Sequence, residues 1–235
     1  FRLMERTGIQ AVVLPELDRT AGFSQDTPYH SYDLFTHTLK TAANVRPDLN
    51  LRLAALLHDI GKMDTRTRRR GRSVYYGHDE ESARVAKTVL KRLKFPGKTI
   101  SDVTFLVAGH MIMYSTRWSD KAVRRLMRKM GRHLEDMLAL VEADRKAQHP
   151  DPLRARDIGE LRRRISGLEK EGCRLPVLPV TGHDIMEILG LKQGPVVGRA
   201  KDYLLEEAMK RPGGLTRDEC IKLLAGWRDP DRGRA

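Results

Sequence analysis

The segment Leu51–Ile60 constrains the fold more than any other part of this 235-residue chain. It is apolar on nearly every side until it reaches the adjacent pair His58-Asp59. A helix with this pattern is buried inside its domain, and Gly61 is the type of residue that ends such a helix. We therefore predict a central buried helix that carries a histidine and an aspartate at its C-terminal end.

Apolar residues recur at helical spacing through most of the remaining sequence. No stretch shows a convincing alternation of apolar and polar residues, which is the pattern of a half-buried strand. The sequence therefore predicts an all-α protein, with a helical bundle followed by a small helical unit. The further predicted helices are Tyr29–Val45, Asp79–Leu93, Thr99–Met113, Leu134–Asp144, Ile158–Lys170, Gly182–Leu189, Pro195–Lys210 and Thr216–Ala225.

Two proline-containing stretches interrupt the helical pattern, at residues 149–152 and 175–179. They divide the predicted chain into a helical lead-in over residues 1–28, a main helical domain over 29–150, a helix and connector over 151–180, and a small helical unit over 181–235. The chain begins with Phe1 and not with Met, so it can be a piece of a longer protein.

The charge balance favours a polyanionic partner. The chain has 44 Lys and Arg against 31 Asp and Glu, a formal net charge of +13, and such a surplus attracts nucleic acid. The alternative is an arginine-rich protein whose charges are only solvated. Two cysteines are too few for a disulfide framework or a thiolate zinc site, and no apolar run is long enough to span a bilayer. We expect a cytoplasmic protein with no membrane partner.

The pair His58-Asp59 is the sharpest chemical feature of the sequence. Burying two such polar groups is costly unless they are paired or bound to a metal ion. Imidazole nitrogens and carboxylate oxygens together suit Mn²⁺, Fe²⁺, Ni²⁺, Co²⁺ or Zn²⁺. Adjacent helical residues point about 100° apart. Both can therefore reach one ion only near a helix end, which is where this pair lies.

The sequence offers further ligand candidates on other predicted helices. His37 and Asp144 lie on inward faces. His78 lies at a helix start, and His110 lies within a helix. Each histidine also has a simpler interpretation, because histidines pack in cores or cap helices, and His30 is better explained as peripheral. Taken together and in this order, the residues favour a metal site.

Several ordered stretches make the chain resemble a known family. His37, His58-Asp59 with Gly61-Lys62, and the distant Asp144 are similar to the metal-binding residues of the HD phosphohydrolase superfamily. The surrounding sequence resembles the C-terminal half of bacterial tRNA nucleotidyltransferases, which include CCA-adding enzymes and poly(A) polymerases. That resemblance rests on residues 14–17, 29–39, 53–62 and 77–80, and, for an RNA-binding stretch, on residues 181–186, 189–195 and 198.

The resemblance implies an HD-domain helical bundle with a divalent metal cofactor, which would be Mn, Ni, Fe, Co, Mg or Zn. In members with two ions, Asp59 bridges them, and His78 and His110 hold the second ion. Asp59 and Lys62 would be the catalytic residues, with Lys62 neutralising the charge of a phosphate. The first ion would be held by two imidazoles and two carboxylates, those of His37, His58, Asp59 and Asp144.

The family's nucleotidyltransferase head, with paired carboxylates on a strand, has no counterpart in the sequence pattern. We therefore expect that this chain alone does not add nucleotides. It is predicted to be a metal-dependent phosphohydrolase of phosphomonoesters, 2′,3′-cyclic phosphates or RNA ends. The alternatives are a non-catalytic RNA-binding body, with tRNA as a candidate partner, and a structural module with a vestigial site.

A basic loop is predicted directly after the metal dyad. Arginine contacts phosphate through two N–H groups, and Tyr75 and Tyr76, which follow, can stack on bases. The loop is therefore predicted to guide RNA or a phosphate toward the ions, although a merely solvated loop is the alternative. Its five arginines are Arg66, Arg68, Arg69, Arg70 and Arg72.

Overall fold

The structure, a computed structural model, describes residues 1–26, 32–69, 71–148, 152–170, 178–211 and 213–229. The side chains of residues 152–156 are outside this description. So are several features that the sequence predicts: the helix start at Tyr29 with His30, the arginine at position 70, the break over residues 149–151, most of the second proline stretch and the tail from residue 230.

The chain divides into two compact units. The first contains Phe1–Trp118 and Lys129–Arg163, and the second contains Ser119–Arg128 and Arg164–Ala235. The predicted all-α class is confirmed. No helix in the described ranges is long and apolar enough to cross a membrane. The helices are α1 (Arg2–Arg6), α2 (Ile9–Val13), α3 (Pro15–Asp18), α4 (Leu34–Asn44), α5 (Leu49–Leu57), α6 (Lys62–Thr65), α7 (His78–Arg92), α8 (Gly97–Gly109), α9 (Asp120–Met130), α10 (Leu134–Ala147), α11 (Pro152–Lys170), α12 (Gly182–Leu189), α13 (Pro195–Ala208) and α14 (Arg217–Gly226).

The first unit is built around α5. This helix contacts α4, α8 and α10, and α7 packs on α8. Leu51, Ala54 and Leu57 of α5 are almost completely buried, as the apolar sequence predicts. Asp33 and Asp48 lie immediately before α4 and α5, and each carboxylate accepts a 2.9 Å hydrogen bond from the backbone N–H three residues later. Such N-caps stabilise a helix by about 1 kcal/mol each.

The stretch predicted as a basic loop forms a small antiparallel hairpin. The turn contains Gly71 at φ +76°, a conformation that glycine adopts readily. The strands have three residues each, which is too short for periodicity to reveal them. In the hairpin β1 (Thr67–Arg69) pairs with β2 (Arg72–Val74), with Thr67 opposite Val74, Arg68 opposite Ser73 and Arg69 opposite Arg72.

The second unit has a small core of its own. In α12, the Thr181 hydroxyl accepts a 3.2 Å hydrogen bond from the Asp184 N–H, and the Asp184 carboxylate accepts one of 2.6 Å from the Thr181 N–H. Thr216 and Glu219 form the same reciprocal arrangement at the start of α14. These capping boxes satisfy N–H groups that a helix start leaves free. The core consists of Val180, Ile185, Ala200, Leu204, Ala208, Leu215, Cys220 and Leu224.

Candidate metal centre

Three helices of the first unit bring four of the predicted ligand residues together. His37 lies in α4, His58 and Asp59 directly follow α5, and Asp144 lies near the end of α10. His37, His58 and Asp59 are buried, and the Asp144 side chain is 14% exposed. Because α5 ends at Leu57, the dyad lies just beyond a helix end, where adjacent side chains can turn toward one point.

These four side chains converge on one small volume. The Nε2 atom of His37 lies 3.0 Å from Oδ1 of Asp144 and 3.4 Å from Oδ2 of Asp59. The Nε2 atom of His58 lies 3.2 Å from Oδ2 of Asp59 and 3.5 Å from Oδ1 of Asp144. Ligand atoms about 2.1 Å from a shared ion lie about 3.0–3.4 Å from one another. The observed spacing therefore fits a divalent ion among these atoms.

A second group of possible ligands faces the other oxygen of Asp59. His78 is the first residue of α7, and its Nε2 atom lies 3.3 Å from Oδ1 of Asp59. His110 places Nε2 3.7 Å from the same oxygen. The structure corrects the expectation that His110 lies within a helix, since α8 ends at Gly109. Asp59 thus presents one oxygen to each group, which is the arrangement of a carboxylate that can bridge two ions.

Backbone carbonyl groups orient the four imidazoles. A carbonyl oxygen can only accept a hydrogen bond, so these contacts place a proton on Nδ1 and leave Nε2, which faces the carboxylates, as the nitrogen that can bind a metal ion. Metal-binding histidines are typically held in this way. The distances from Nδ1 to the carbonyl oxygen are 2.8 Å for His58 to Ala55, 2.7 Å for His78 to Tyr75, 2.7 Å for His110 to Val107, and 3.4 Å for His37 to Ala147.

The carboxylates determine the charge of His58 when no ion is bound. Burial lowers the pKa of His58, but Asp59 and Asp144 outweigh burial and raise this pKa to about 10. Burial also raises the pKa of Asp59, but His58 and Lys62 outweigh it and hold the pKa well below its ordinary value. The negative charge that keeps the His58 imidazole protonated also attracts a divalent cation. Such a cation must displace the imidazole proton in order to bind. The donor set therefore fits a metal ion in charge as well as in spacing.

Lys62 and Gln25 complete the surroundings of Asp59. The ammonium of Lys62 donates to Oδ2 of Asp59 at 2.6 Å and to Oε1 of Gln25 at 2.9 Å. The hydroxyl of Tyr75 donates to the main-chain carbonyl of Gln25 at 2.5 Å, and the Tyr75 ring lies 5.7 Å from the ammonium. Because Lys62 is only 6% exposed, these neighbours hold its charge in a fixed position beside the cluster.

A cavity of about 320 Å³ opens over the cluster. Asp59, Lys62 and Asp144 contribute charged groups to its lining, and Gln148 lies beside them. The Nε2 amide of Gln148 donates to both oxygens of Asp144, each at 3.2 Å. The amide therefore fixes the plane of this carboxylate while leaving its oxygens next to the cavity.

The arginines of the hairpin take two different positions. Arg66 donates from Nε to the Ser73 hydroxyl at 2.9 Å, and its guanidinium lies 5.1 Å from the Phe23 ring. Its side chain is therefore engaged by the protein. Arg70 lies outside the described residues. The arginines that remain exposed to solvent are Arg68, Arg69 and Arg72.

Three side chains belong to the site but do not stand out in the sequence. Gln148 lies four residues after Asp144, and residues at this spacing are neighbours on a helix, so spacing could have indicated it. Gln25 lies 37 residues before Lys62, and no local pattern connects the two. Met111 lines the cavity as an ordinary apolar residue after α8.

Comparison with known proteins agrees with this fold. The HD domain family matches residues 30–161, which is more than half of the chain. The matched range contains all six residues of the two ligand groups. The chain belongs to the HD domain family.

Among curated proteins, the chain is similar to tRNA nucleotidyltransferases. A CC-adding tRNA nucleotidyltransferase of Thermus thermophilus is 36% identical over 237 residues, which is 97% of this chain and 52% of that protein. An A-adding tRNA nucleotidyltransferase of Deinococcus radiodurans is 33% identical over 216 residues, which is 86% of this chain and 48% of that protein. The chain spans about half the length of these relatives, and the resemblance to their C-terminal half is confirmed.

Proposed function

We propose that this chain is a metal-dependent phosphohydrolase of nucleotides or RNA ends, as the HD portion of a tRNA nucleotidyltransferase-like protein. The observation that carries the proposal is the convergence of two ligand groups on the opposite oxygens of Asp59. Such a pair of sites is suited to phosphoryl chemistry, in which two ions stabilise the attacking and the leaving oxygen. Membership of the HD domain family supports the same reaction class.

The two groups differ in how completely the protein surrounds an ion. The first group offers four ligand residues, and the second offers His78, His110 and the shared Asp59. We propose that the first group holds its ion tightly and that the second leaves more positions for water or substrate. The abundance of imidazole favours Mn²⁺, Fe²⁺, Co²⁺, Ni²⁺ or Zn²⁺ over Mg²⁺.

The chain's own residues would position the reacting groups. A bound divalent ion supplies Lewis acidity and lowers the pKa of a coordinated water. Lys62 balances the charge of Asp59 at 2.6 Å and lines the cavity, where its ammonium can contact a phosphoryl oxygen. Gln148 holds Asp144 through both carboxylate oxygens. Asp59 and Lys62 are therefore the residues to which we assign the catalytic roles.

A second candidate function is that of a non-catalytic RNA-binding body, with tRNA as the candidate RNA. The hairpin favours it, because Arg69 and Arg72 lie opposite each other, and like charges in a cross-strand pair are destabilising. An anion such as an RNA phosphate would relieve that repulsion. The relatives are named as tRNA nucleotidyltransferases, which supports RNA as the partner. The two functions are compatible, since the arginines are not among the proposed ligands.

Hydrolysis and metal content test the catalytic proposal. The protein, purified without a histidine tag, should contain a transition metal by elemental analysis. It should also hydrolyse 2′,3′-cyclic AMP with added Mn²⁺ or Ni²⁺. Asp59→Ala should abolish turnover and reduce metal content but retain RNA binding. Equal turnover by Asp59→Ala and the wild type would exclude the metal centre as the catalyst and leave the RNA-binding function.

Variants of the two groups separate the ions. His37→Ala should remove the ion of the first group, whereas His110→Ala should remove only the ion of the second group. Elemental analysis after dialysis gives the number of ions per chain for each variant. Each variant should retain about half the metal of the wild type, and loss of all metal in both variants would contradict two separate sites.

A further inference from the structure

The cavity over the ligand cluster has two chemically different sides. Its floor carries the charged groups of Asp59, Lys62 and Asp144, whereas Tyr76 and Met111 form part of its wall. Ions and a phosphoryl group present no apolar surface, so they make no use of such a wall. The wall therefore indicates that the ligand has a second, apolar part.

Tyr76 and Met111 are free to contact a ligand. Their exposed fractions are 71% and 49%, and the described residues provide neither side chain with a hydrogen bond, ion pair or ring contact. The neighbouring Tyr75 differs, because its hydroxyl donates to Gln25 and its ring lies 6.5 Å from that of Phe23. One tyrosine of the pair is thus anchored in the fold, and the other lies exposed at the cavity.

We propose that Tyr76 and Met111 form a base-stacking subsite. The cavity then binds a nucleoside phosphate, with the phosphate toward Asp59 and Lys62 and the base against the Tyr76 ring. This inference rests on the proposed function, since the metal groups set the position of the phosphate. Aromatic rings stack on nucleobases, and a thioether packs favourably beside aromatic rings.

The size of the cavity limits how much of a nucleic acid it holds. A volume of about 320 Å³ lies near the lower end of sites for small organic ligands. We infer that one nucleotide unit enters, so the ligand is a free nucleotide or the terminal nucleotide of an RNA. An internal nucleotide of a duplex is excluded, because its base is already stacked on both sides.

The subsite should distinguish nucleotides by the size of the base ring system and not by the identity of the base. Every base has a π-face, so stacking tolerates any sequence, and Met111 has no strong hydrogen-bonding group with which to read a base edge. A purine offers a larger face than a pyrimidine. Purine nucleotides should therefore bind more tightly than pyrimidine nucleotides, with adenine and guanine nearly equal.

Calorimetric titration of the Mn²⁺-loaded protein tests the subsite, with product analysis after each titration so that heat from hydrolysis of a probe is not counted as binding. The two probes are adenosine 2′-monophosphate and ribose 5-phosphate, which has no base. Tyr76→Ala should weaken nucleotide binding about tenfold, within the range for loss of one stacking contact, and leave ribose 5-phosphate binding unchanged. Tyr76→Phe should bind the nucleotide as the wild type does. Met111→Leu is the matched control for Met111→Ala, which should weaken nucleotide binding to a smaller extent.

The outcomes of this titration separate the subsite from the proposed reaction. The subsite is overturned if Tyr76→Ala weakens the binding of both probes equally or of neither probe. It is also overturned if the wild type does not bind the nucleotide. Nucleotide binding that depends on Tyr76 without any hydrolysis by the wild type supports the subsite and contradicts the phosphohydrolase.

Discussion

The ammonium of Lys62 lies 2.6 Å from Oδ2 of Asp59, the same oxygen that faces the imidazoles of His37 and His58. One lysine therefore balances the carboxylate that the two proposed ion sites share. It also lines the cavity in which a phosphate would lie. Its charge is placed to act on this proposed metal ligand and on a phosphate bound in the cavity.

We expect Lys62→Met to reduce kcat for 2′,3′-cyclic AMP by about 10²-fold, the usual cost of removing one donor to a reacting oxygen. Methionine occupies a similar volume without the charge. Metal content should be unchanged, because Lys62 is not a proposed ligand. Lys62→Arg is the control that keeps the charge, and steady-state kinetics with elemental analysis give both quantities. A kcat equal to that of the wild type in Lys62→Met would remove the lysine from the reaction.

The Gly61→Ala variant should unfold more readily than the wild type. A Cβ at this position would lie 2.5 Å from the backbone nitrogen of Ser82 and 2.9 Å from the carbonyl oxygen of His78. Backbone atoms cannot yield without a shift of α7, so we expect a loss of about 3 kcal/mol in the free energy of unfolding. Urea denaturation measures this loss of stability. The variant should also bind the proposed second ion more weakly, because α7 carries His78.

Gly109→Ala is the matched control for Gly61→Ala. Its Cβ would also meet an atom at 2.5 Å, but that atom is the terminal Cε of Met137. Methionine has a flexible side chain that adapts to added volume, so the loss should stay below about 1 kcal/mol. Equal losses in the two variants would show that the backbone contact at Gly61 is not the cause.

The N-cap of α4 should make stability depend on pH in the acid range. Asp33 accepts hydrogen bonds from the backbone N–H groups of Thr36 at 2.9 Å and Gly22 at 2.8 Å. Burial raises the pKa of Asp33, but a hydrogen bond from the Thr36 side chain and these two backbone hydrogen bonds outweigh burial and lower the pKa. The carboxylate therefore stabilises the fold above its unfolded-state pKa of about 3.9. This contribution is lost as the pH falls through the lower folded-state pKa.

Asp33→Asn isolates this titration, because asparagine is an equally good N-cap and carries no charge. We expect the wild type to be more stable than the variant at pH 6, by about 1 kcal/mol for charged against neutral hydrogen bonds. This difference in the free energy of unfolding should become smaller as the pH approaches 3. Urea denaturation at several pH values measures it, and a constant difference would contradict a lowered pKa of Asp33.

The exposed hairpin arginines should control the salt dependence of RNA binding. Each phosphate contact with a single strand contributes about 0.7 to the slope of log affinity against log salt. Replacing Arg68, Arg69 and Arg72 together by alanine should therefore lower the slope by about 2. Fluorescence anisotropy over a range of KCl concentrations gives the slope. Arg84→Ala is the control, since this exposed arginine of α7 is paired with Glu81, and its slope should remain that of the wild type.

The sequence predicts several residues of the candidate metal centre because local rules place them on buried faces or at a helix end. The apolar run of α5 indicates a buried helix, and a charged dyad at its end needs partners. Helical spacing places Asp144 on the inward face of α10. These inferences use residues within one or two turns of each other, where helical geometry is regular.

Other features depend on contacts between distant residues, which spacing does not encode. Gln25 reaches Lys62 across 37 residues. The hairpin depends on the pairing of two strands of three residues. The same limit explains His110, since the sequence allows α8 to continue to Met113, whereas the chain leaves the helix at Gly109. A sequence pattern predicts which faces are buried, but tertiary contacts decide where an element stops.

The carbonyl contacts of the imidazoles bear on how the proposed metal centre would gain and lose ions. The rings of His58, His78 and His110 each bond a carbonyl oxygen only three residues earlier in the chain. Such a contact is made within one turn of backbone, so we expect it to form with or without a bound ion. In zinc fingers, by contrast, the chain folds only when metal is present. We therefore expect ion exchange at the proposed metal centre to require no refolding, so that the supply of metal in solution can determine which ion occupies it.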